Sequence, residues 1–463
     1  MDRVRQALRS GEWLIRERIL VVAVAVLIAS VAGFLYLVVT AKNGIDLQGR
    51  PIGTDFSDIY AAGTYVRDGI PQAVFDPARQ FARERAIFGP TMEFYGWHYP
   101  PYFLFVAGAL ARLPYGLALF IWQAVTLGLY LFMIRALLMS FRGAPGARPT
   151  EQAPPAGAWT RWVAIAGPGG DVRTDAMTAD WLLLALAFPA VLINIGHGQN
   201  GFLTAALFGG ALVCLERRPL AAGVLFGLLA YKPQFGLLIP IALIAGGYWR
   251  TILTAAITVA LLTLVTTLAF GPQIWSAFFG EAEFTRTVVL EQGGPGWHKI
   301  QSIFSWARMW GAPVPLAYGL QGVAILALAA ATARLWRGSA AYPLKAAALC
   351  LAALLATPYT LDYDMLVLAP AIAFIAADGI TRGFGPWEKT ALAALWLMPL
   401  VARSVAQATL IPLGVPAMLA MFVLTLRRAE RGSAAMAFAA EASTMAVSPG
   451  ETARGHDIAA FKS

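Results

Sequence analysis

The chain has 463 residues, of which 58% are hydrophobic and 13% charged, with a mean hydropathy of +0.63. Soluble proteins carry about 25% charged residues, so a soluble globular fold is excluded and most of this chain belongs in lipid. The formal charge of +9 comes from Lys and Arg clustered between apolar segments, the positive-inside pattern of a membrane protein, and so does not point to nucleic acid.

Arg3, Arg5, Arg9, Arg16 and Arg18 hold the N-terminus on the cytoplasmic side. Ile19 to Thr40 is a 22-residue run without a charge, roughly 33 Å as a helix and enough to cross a bilayer. Val39-Thr40-Ala41 loosely fits a signal-peptidase site, but the apolar core exceeds that of a signal peptide, so the run is read as the first span. Residues 42–101 then form a periplasmic loop with six Lys/Arg against seven Asp/Glu. Within it, 56–67 and 78–88 read as short amphipathic helices around the turn-prone "DGIPQAVFDP".

"YPPYFLFVAGALARLPYG" is too short to span and reads as a partly immersed helix leading into a span at about 115–139. Residues 140–178, rich in Pro, Gly and Ala, read as a cytoplasmic insert loop. Further spans are expected at about 180–195, 201–215, 219–231, 234–248 and 251–270. After a second periplasmic loop at 271–312 come spans at about 313–335, 342–357, 365–378, 388–405 and 408–427. "LERRP", "GYWR", "RLWRG" and "LRRAERG" then all fall on the cytoplasmic side. The expectation is an all-α polytopic membrane protein of about 12 transmembrane helices in one domain, 1–427, with both termini inside and a disordered tail over 428–463. Cys214 and Cys350 lie in apolar runs without metal or redox spacing and read as packing residues.

The same alternation gathers five polar segments on one face: "GTDFSDIYAAGTYVRDG" (53–69), "GHGQNG" (196–201), "YKPQ" (231–234), "GPGWHKIQSIFSWAR" (294–308) and "TPYTLDYD" (357–364). Asp55 and Asp58 open a helix three residues apart, on neighbouring positions of one face. Either caps that helix or acts as a general base taking a proton from an attacking hydroxyl. Lys232, inside an apolar stretch before Pro233, either snorkels to headgroups or neutralises an anion in a buried groove. His298 and Lys299 form a compact cationic corner. His197 sits between glycines that permit close backbone approach, while Gln199 and Asn200 offer amides suited to sugar hydroxyls. Asp362 and Asp364, beside Tyr359 and Tyr363, give a weak cation signal. No zinc spacing, Walker loop or dinucleotide fingerprint is present, so no cofactor is expected, a divalent metal is left open, and a nucleotide donor is disfavoured.

"TDFSDIYAAG", "YPP", "GQNG", "KPQ" and "TPYTLDYD", in that order, resemble glycosyltransferase family 87, enzymes of GT-C type similar to polyprenyl-phosphate-mannose-dependent mannosyltransferases. The resemblance runs from about 15 to 425, excluding the 140–178 loop. It implies a GT-C-type fold in the bacterial inner membrane and a periplasmic active site between the two larger loops. It also implies a polyprenyl-phosphate sugar donor entering from the lipid bilayer, and a glycolipid or glycan acceptor. Asp55, before Phe in "DF", corresponds to the base, with Asp58 the lesser candidate; His298 corresponds to a His near the donor phosphate. Lys232, His298 and Lys299 would stabilise the leaving phosphate, Gln199 and Asn200 would orient the sugar, and His197, Tyr359 and Asp362 complete the expected site. A β-linked donor would give an α-linked product by inversion. The rival expectation is a transporter or flippase of lipid-linked sugars, which uses the same groove without a base.

Overall fold

The computed structural model describes residues 2–142 and 172–446. These residues are 78% helix with no strand. In chain order the first helices are α1 (Asp2–Ser10), α2 (Arg16–Thr40), α3 (Phe56–Arg67), α4 (Pro77–Phe88), α5 (Leu104–Leu110) and α6 (Tyr115–Arg142). There follow α7 (Val172–Leu186), α8 (Pro189–His197), α9 (Gly201–Cys214), α10 (Pro219–Leu228), α11 (Ile239–Ala245), α12 (Trp249–Phe270) and α13 (Gln273–Phe284). The last are α14 (Ile303–Met309), α15 (Val314–Arg337), α16 (Tyr342–Ala356), α17 (Leu368–Arg382), α18 (Glu388–Thr409) and α19 (Gly414–Ala446).

Six of the described helical stretches are long and apolar enough to cross a membrane: α2, α6, α12, α15, Asp362–Arg382 (a short turn leading into α17) and α18. A seventh arises if α7 and α8, bent by 48° at a short break, count as one span. The expected dozen depends on shorter apolar helices such as Gly201–Cys214, whose 14 residues rise only about 21 Å. The centre of the bundle is α16, apolar all round and buried along nearly its whole length, as expected of a helix with no lipid or water face. By contrast α2 and α12 leave rows of Val, Ile and Leu uncovered, with Val39 80% and Leu268 77% exposed, as lipid-facing helices do.

The first loop folds as anticipated. Helix α3 lies on α5 so closely that a Cβ at Gly63 would sit 2.0 Å from the Ala107 carbonyl oxygen. Helix α4 rests on α3 through Tyr65, whose hydroxyl donates to Arg79 O at 2.6 Å. Asp76 caps α4 by accepting from the backbone N–H of Ala78 and Arg79.

Three expectations need correction. The 271–312 loop is built structure: α13, a π-helical turn Thr285–Glu291, a 3₁₀ turn Trp297–Lys299 and α14. The insert loop is shorter than 140–178, because α6 runs to Arg142 and α7 begins at Val172; the remainder, 143–171, lies outside the described residues. The tail does not become disordered at Arg428, since α19 continues to Ala446. Ala, Met and Glu dominate residues 434–446, and these carry high helix propensity. Residues 447–463 lie outside the described residues.

Candidate active site

Asp55 stands at the N-cap position of α3, yet its side chain makes no capping bond. The carboxylate turns instead toward the end of α8. Oδ2 accepts from Gln199 Nε2 at 3.0 Å, Oδ1 accepts from Thr54 Oγ1 at 3.1 Å, and His197 Nδ1 lies 3.3 Å from Oδ1. Thr54 Oγ1 also meets His197 Nδ1 at 2.8 Å, so the hydroxyl accepts from the imidazole and donates to the carboxylate. The Asp55 N–H donates to His197 O at 3.0 Å, locking the two segments in register. Gly198 makes the turn possible. It adopts φ +66 to end α8, and a Cβ there would lie 2.5 Å from Phe56 Cβ. Burial pushes the Asp55 carboxyl up, but the His197 charge and the hydrogen bonds from His197, Gln199 and Thr54 bring it below the ordinary carboxylate range. The side chain remains 21% exposed. It is an ionised acceptor held from one side and open on the other.

Asp58 has a different environment. It is buried, with Oδ1 accepting from Gln80 Nε2 at 2.8 Å, and Gln80 in turn reaches Glu84 at 3.4 Å. Burial, and then the negative charge of Glu84, raises Asp58 well above its ordinary value. Glu84 is pushed up to about 7, also chiefly by burial. Asp58, the lesser candidate for the base, is therefore a sequestered acid one turn from Asp55.

Of the two expected sugar amides, Gln199 is engaged within the chain and Asn200 is buried. Gln199 is clamped between Asp55 and the Tyr99 hydroxyl, which donates to Gln199 Oε1 at 3.0 Å. It orients the carboxylate rather than a sugar. Asn200 is fully buried at the start of α9, with no partner for either amide atom among the described residues. Lys232 neither snorkels nor awaits a phosphate: Nζ is buried and lies 2.5 Å from Asp364 Oδ1, above the Tyr363 ring. The anion expected for Lys232 exists, but it belongs to the chain.

The short turn after "TPYTL" separates the two acids of "LDYD". Asp364 takes Lys232, while Asp362 faces Arg403 of α18, Oδ2 to Nη1 being 3.9 Å. The segment carrying His298 and Lys299 is tied to the same region, since Gln301 N donates to Thr360 O at 2.7 Å. Tyr359 is half-buried and close enough to feel the charges of Asp364 and Asp55. Burial, then the charges of Arg403 and Lys299, lowers His298 below its usual value, so at neutral pH it is an uncharged imidazole. Burial and Arg403 also lower Lys299, against the pull of Asp55 and Asp362. The cationic corner is thus Lys299 with Arg403, the latter 40% exposed. Sequence reasoning passed over Arg403 and Tyr99. A lone Arg inside an apolar helix was the available signal for Arg403; Tyr99, a Tyr among aromatics, gave none.

A polar centre at one end of a lipid-facing bundle, with an ionised carboxylate beside a cationic pair, suits transfer chemistry. The model of glycosyltransferase family 87 matches residues 97–358. The chain belongs to glycosyltransferase family 87. It is therefore a membrane glycosyltransferase. No curated protein and no solved structure matches it. The family 87 match contains His197, Gln199, Lys232, His298 and Lys299, while Asp55 precedes it and Asp362 and Arg403 follow it. Among the described residues no group of three or more His, Cys, Asp or Glu is arranged to hold a metal ion.

Proposed function

We propose that this glycosyltransferase moves a hexose, mannose being the family's implication, from a polyprenyl-phosphate donor to a hydroxyl of an envelope glycolipid or glycan. The reaction takes place on the periplasmic face of the bacterial inner membrane. The observation that carries this reading is the Asp55 carboxylate, uncapped, ionised and braced by Thr54, His197 and Gln199. Asp55 takes the proton of the acceptor hydroxyl as its oxygen bonds to the anomeric carbon. The bond from that carbon to the phosphate oxygen breaks on the opposite face, and its electron pair leaves with the lipid phosphate.

Developing negative charge on the phosphate needs fixed positive charge, often the largest catalytic term. Lys299 and Arg403 supply it, and neutral His298 offers a hydrogen-bond donor. A low carboxyl pKa keeps the base ionised in the resting enzyme, and the His197 charge beside it compensates the buried side of the carboxylate. Purified protein in liposomes, given a polyprenyl-phosphate hexose and an envelope lipid extract, should release polyprenyl phosphate and form a hexosylated lipid. Movement of intact donor across the bilayer without such product would establish the flippase instead.

A further inference from the structure

An apolar cavity lies apart from Asp55, with none of the residues around that carboxylate in its wall. It measures about 520 Å³ and is walled by Val21 and Val22 of α2, Leu138 of α6, Phe188, Ala376 of α17 and Trp396 of α18, with hardly any polar surface. That volume is within the range of about 300–1,000 Å³ typical of ligand sites. The cavity takes the early turns of α2 and α18, the late turns of α6 and one side of α17 from Ala369 to Ile380. The polar centre takes the opposite ends: His197 closes α8, Asp362 precedes α17 and Arg403 is late in α18. Phe188 precedes α8 and His197 ends it, a rise of about 13 Å, so the two sites lie toward opposite ends of that helix.

The mouth of the cavity carries Glu17, Arg18 and Lys389, with three tryptophans, Trp13, Trp181 and Trp396, on its wall, the aromatic signature of a membrane interface. Arg18 donates to Trp13 O at 3.1 Å, and Arg16 is committed to Asp180 at 2.7 Å. Phe384 lines this cavity and also a second, polar one formed by α1, with Arg5, Arg9, Gln6, Ser10 and Asp2. Arg5 and Arg9 are four apart on α1, share one face, and are exposed, with no ion pair among the described residues. An apolar slot therefore meets a basic pocket across a single aromatic ring. Lys389, Arg18, Arg5 and Arg9 outnumber Glu17 and Asp2.

We propose that this composite site binds an anionic glycerophospholipid, its acyl chain in the slot between α2 and α18 and its phosphate on Arg5 and Arg9 of α1. Charge complementarity selects the occupant. A zwitterionic lipid brings no net charge to the basic pocket, and an isoprenoid tail reaching from the Asp55 face would leave that pocket without a ligand. The site is independent of the reaction proposed above, because no residue in it touches the polar centre.

The test uses full-length protein in nanodiscs of phosphatidylcholine, with or without phosphatidylglycerol. Native mass spectrometry after delipidation reads which lipid is retained, and thermal unfolding reads the Tm. The wild type should retain phosphatidylglycerol over phosphatidylcholine and unfold at higher temperature with it. The Arg5→Gln/Arg9→Gln double variant should lose that preference and the Tm gain, while turnover in phosphatidylcholine stays within about twofold, since neither arginine lines the polar centre. Ala376→Phe, which fills the slot, should lose retention of either lipid; if it fails to fold, the double variant decides. Equal retention of the two lipids by wild type, a preference that survives loss of both arginines, or a polyprenyl phosphate retained in place of phospholipid would each overturn the proposal.

Discussion

Two places in this molecule set a threonine hydroxyl between an imidazole and a carboxylate. At one, Thr54 Oγ1 lies 2.8 Å from His197 Nδ1 and 3.1 Å from Asp55 Oδ1. At the other, Thr285 Oγ1 lies 2.8 Å from His98 Nδ1 and 2.5 Å from Glu281 Oε1. The His-to-acid distances are 3.3 and 3.4 Å. What differs is access. Asp55 and His197 are 21% and 26% exposed, whereas Glu281 is 5% and His98 16%. Asp55 gains a third anchor in Gln199, while Glu281 and Thr285 are one turn apart where α13 passes into its π-helical turn. The same three functional groups thus hold a carboxylate open on one side in one place and pin an irregular helix in the other. Composition does not separate them; exposure does.

The sharpest way to break that comparison is to neutralise both acids. Asp55→Asn retains size and should lower turnover of a polyprenyl-phosphate hexose by about 10²–10⁴-fold, as loss of a general base does. Glu281→Gln should leave turnover within tenfold and cost about 1–3 kcal/mol of stability. Loss of turnover in Glu281→Gln at unchanged Tm would move the chemistry to His98. Lys232→Met strands Asp364 in the interior and should destabilise by about 3–5 kcal/mol, much of it regained in Lys232→Met/Asp364→Leu; a single variant that unfolds normally but turns over slowly would restore Lys232 to the phosphate.

Arg403→Gln should reduce kcat by about 10–100-fold, the value of a charge-assisted contact of ~1.5–3 kcal/mol, with product analysis of steady-state assays as the measure. The pH profile gives a smaller effect with a definite sign. Asp55 must be ionised, and its carboxyl lies below the ordinary value. The acid limb of kcat/KM should therefore fall below about pH 4 and move upward in His197→Gln, which removes the lowering charge. An unmoved limb would separate His197 from the base. Smallest of all, Thr54→Val and Thr285→Val each remove one hydroxyl worth ~0.5–1.5 kcal/mol. The first should appear in rate and the second in Tm.

The all-helical, multispan character, the two loop helices and the convergence of "TDFSD" on "GHGQ" are legible because hydropathy, charge bias and turn glycines act locally. The partners of buried polar groups are not. Lys232 and Asp364 are 132 residues apart, and nothing near Lys232 says that its anion is internal. Gln199 looked suited to sugar because an amide's neighbours across the bundle cannot be read from its own segment; Tyr99 reaches it from 100 positions away. Local sequence allows Asp55 and Asp58 the same two roles and only the resemblance ranks Asp55 first; packing of α4 over α3 is what makes Asp58 a sequestered acid. Arg403 is a lone charge in the apolar stretch of α18, and its partner Asp362 lies on another segment, so its own helix does not show what it faces.

The seating of α1 has a consequence for how the chain is made. Arg9 O accepts from Trp387 N at 2.8 Å, and Leu8 O and Trp13 Nε1 meet Thr390 Oγ1 across 382 and 377 positions. Trp387 itself has φ +70, uncommon for a bulky residue, in the turn that this contact closes. Helix α1 therefore leaves the ribosome well before its docking surface is synthesised, roughly 20 to 75 s earlier at ordinary elongation rates. Throughout that interval a short basic helix must wait at the membrane surface. Truncated or stalled chains ending before α18 would never seat it, which makes the accessibility of α1 a direct report on the docking of α18.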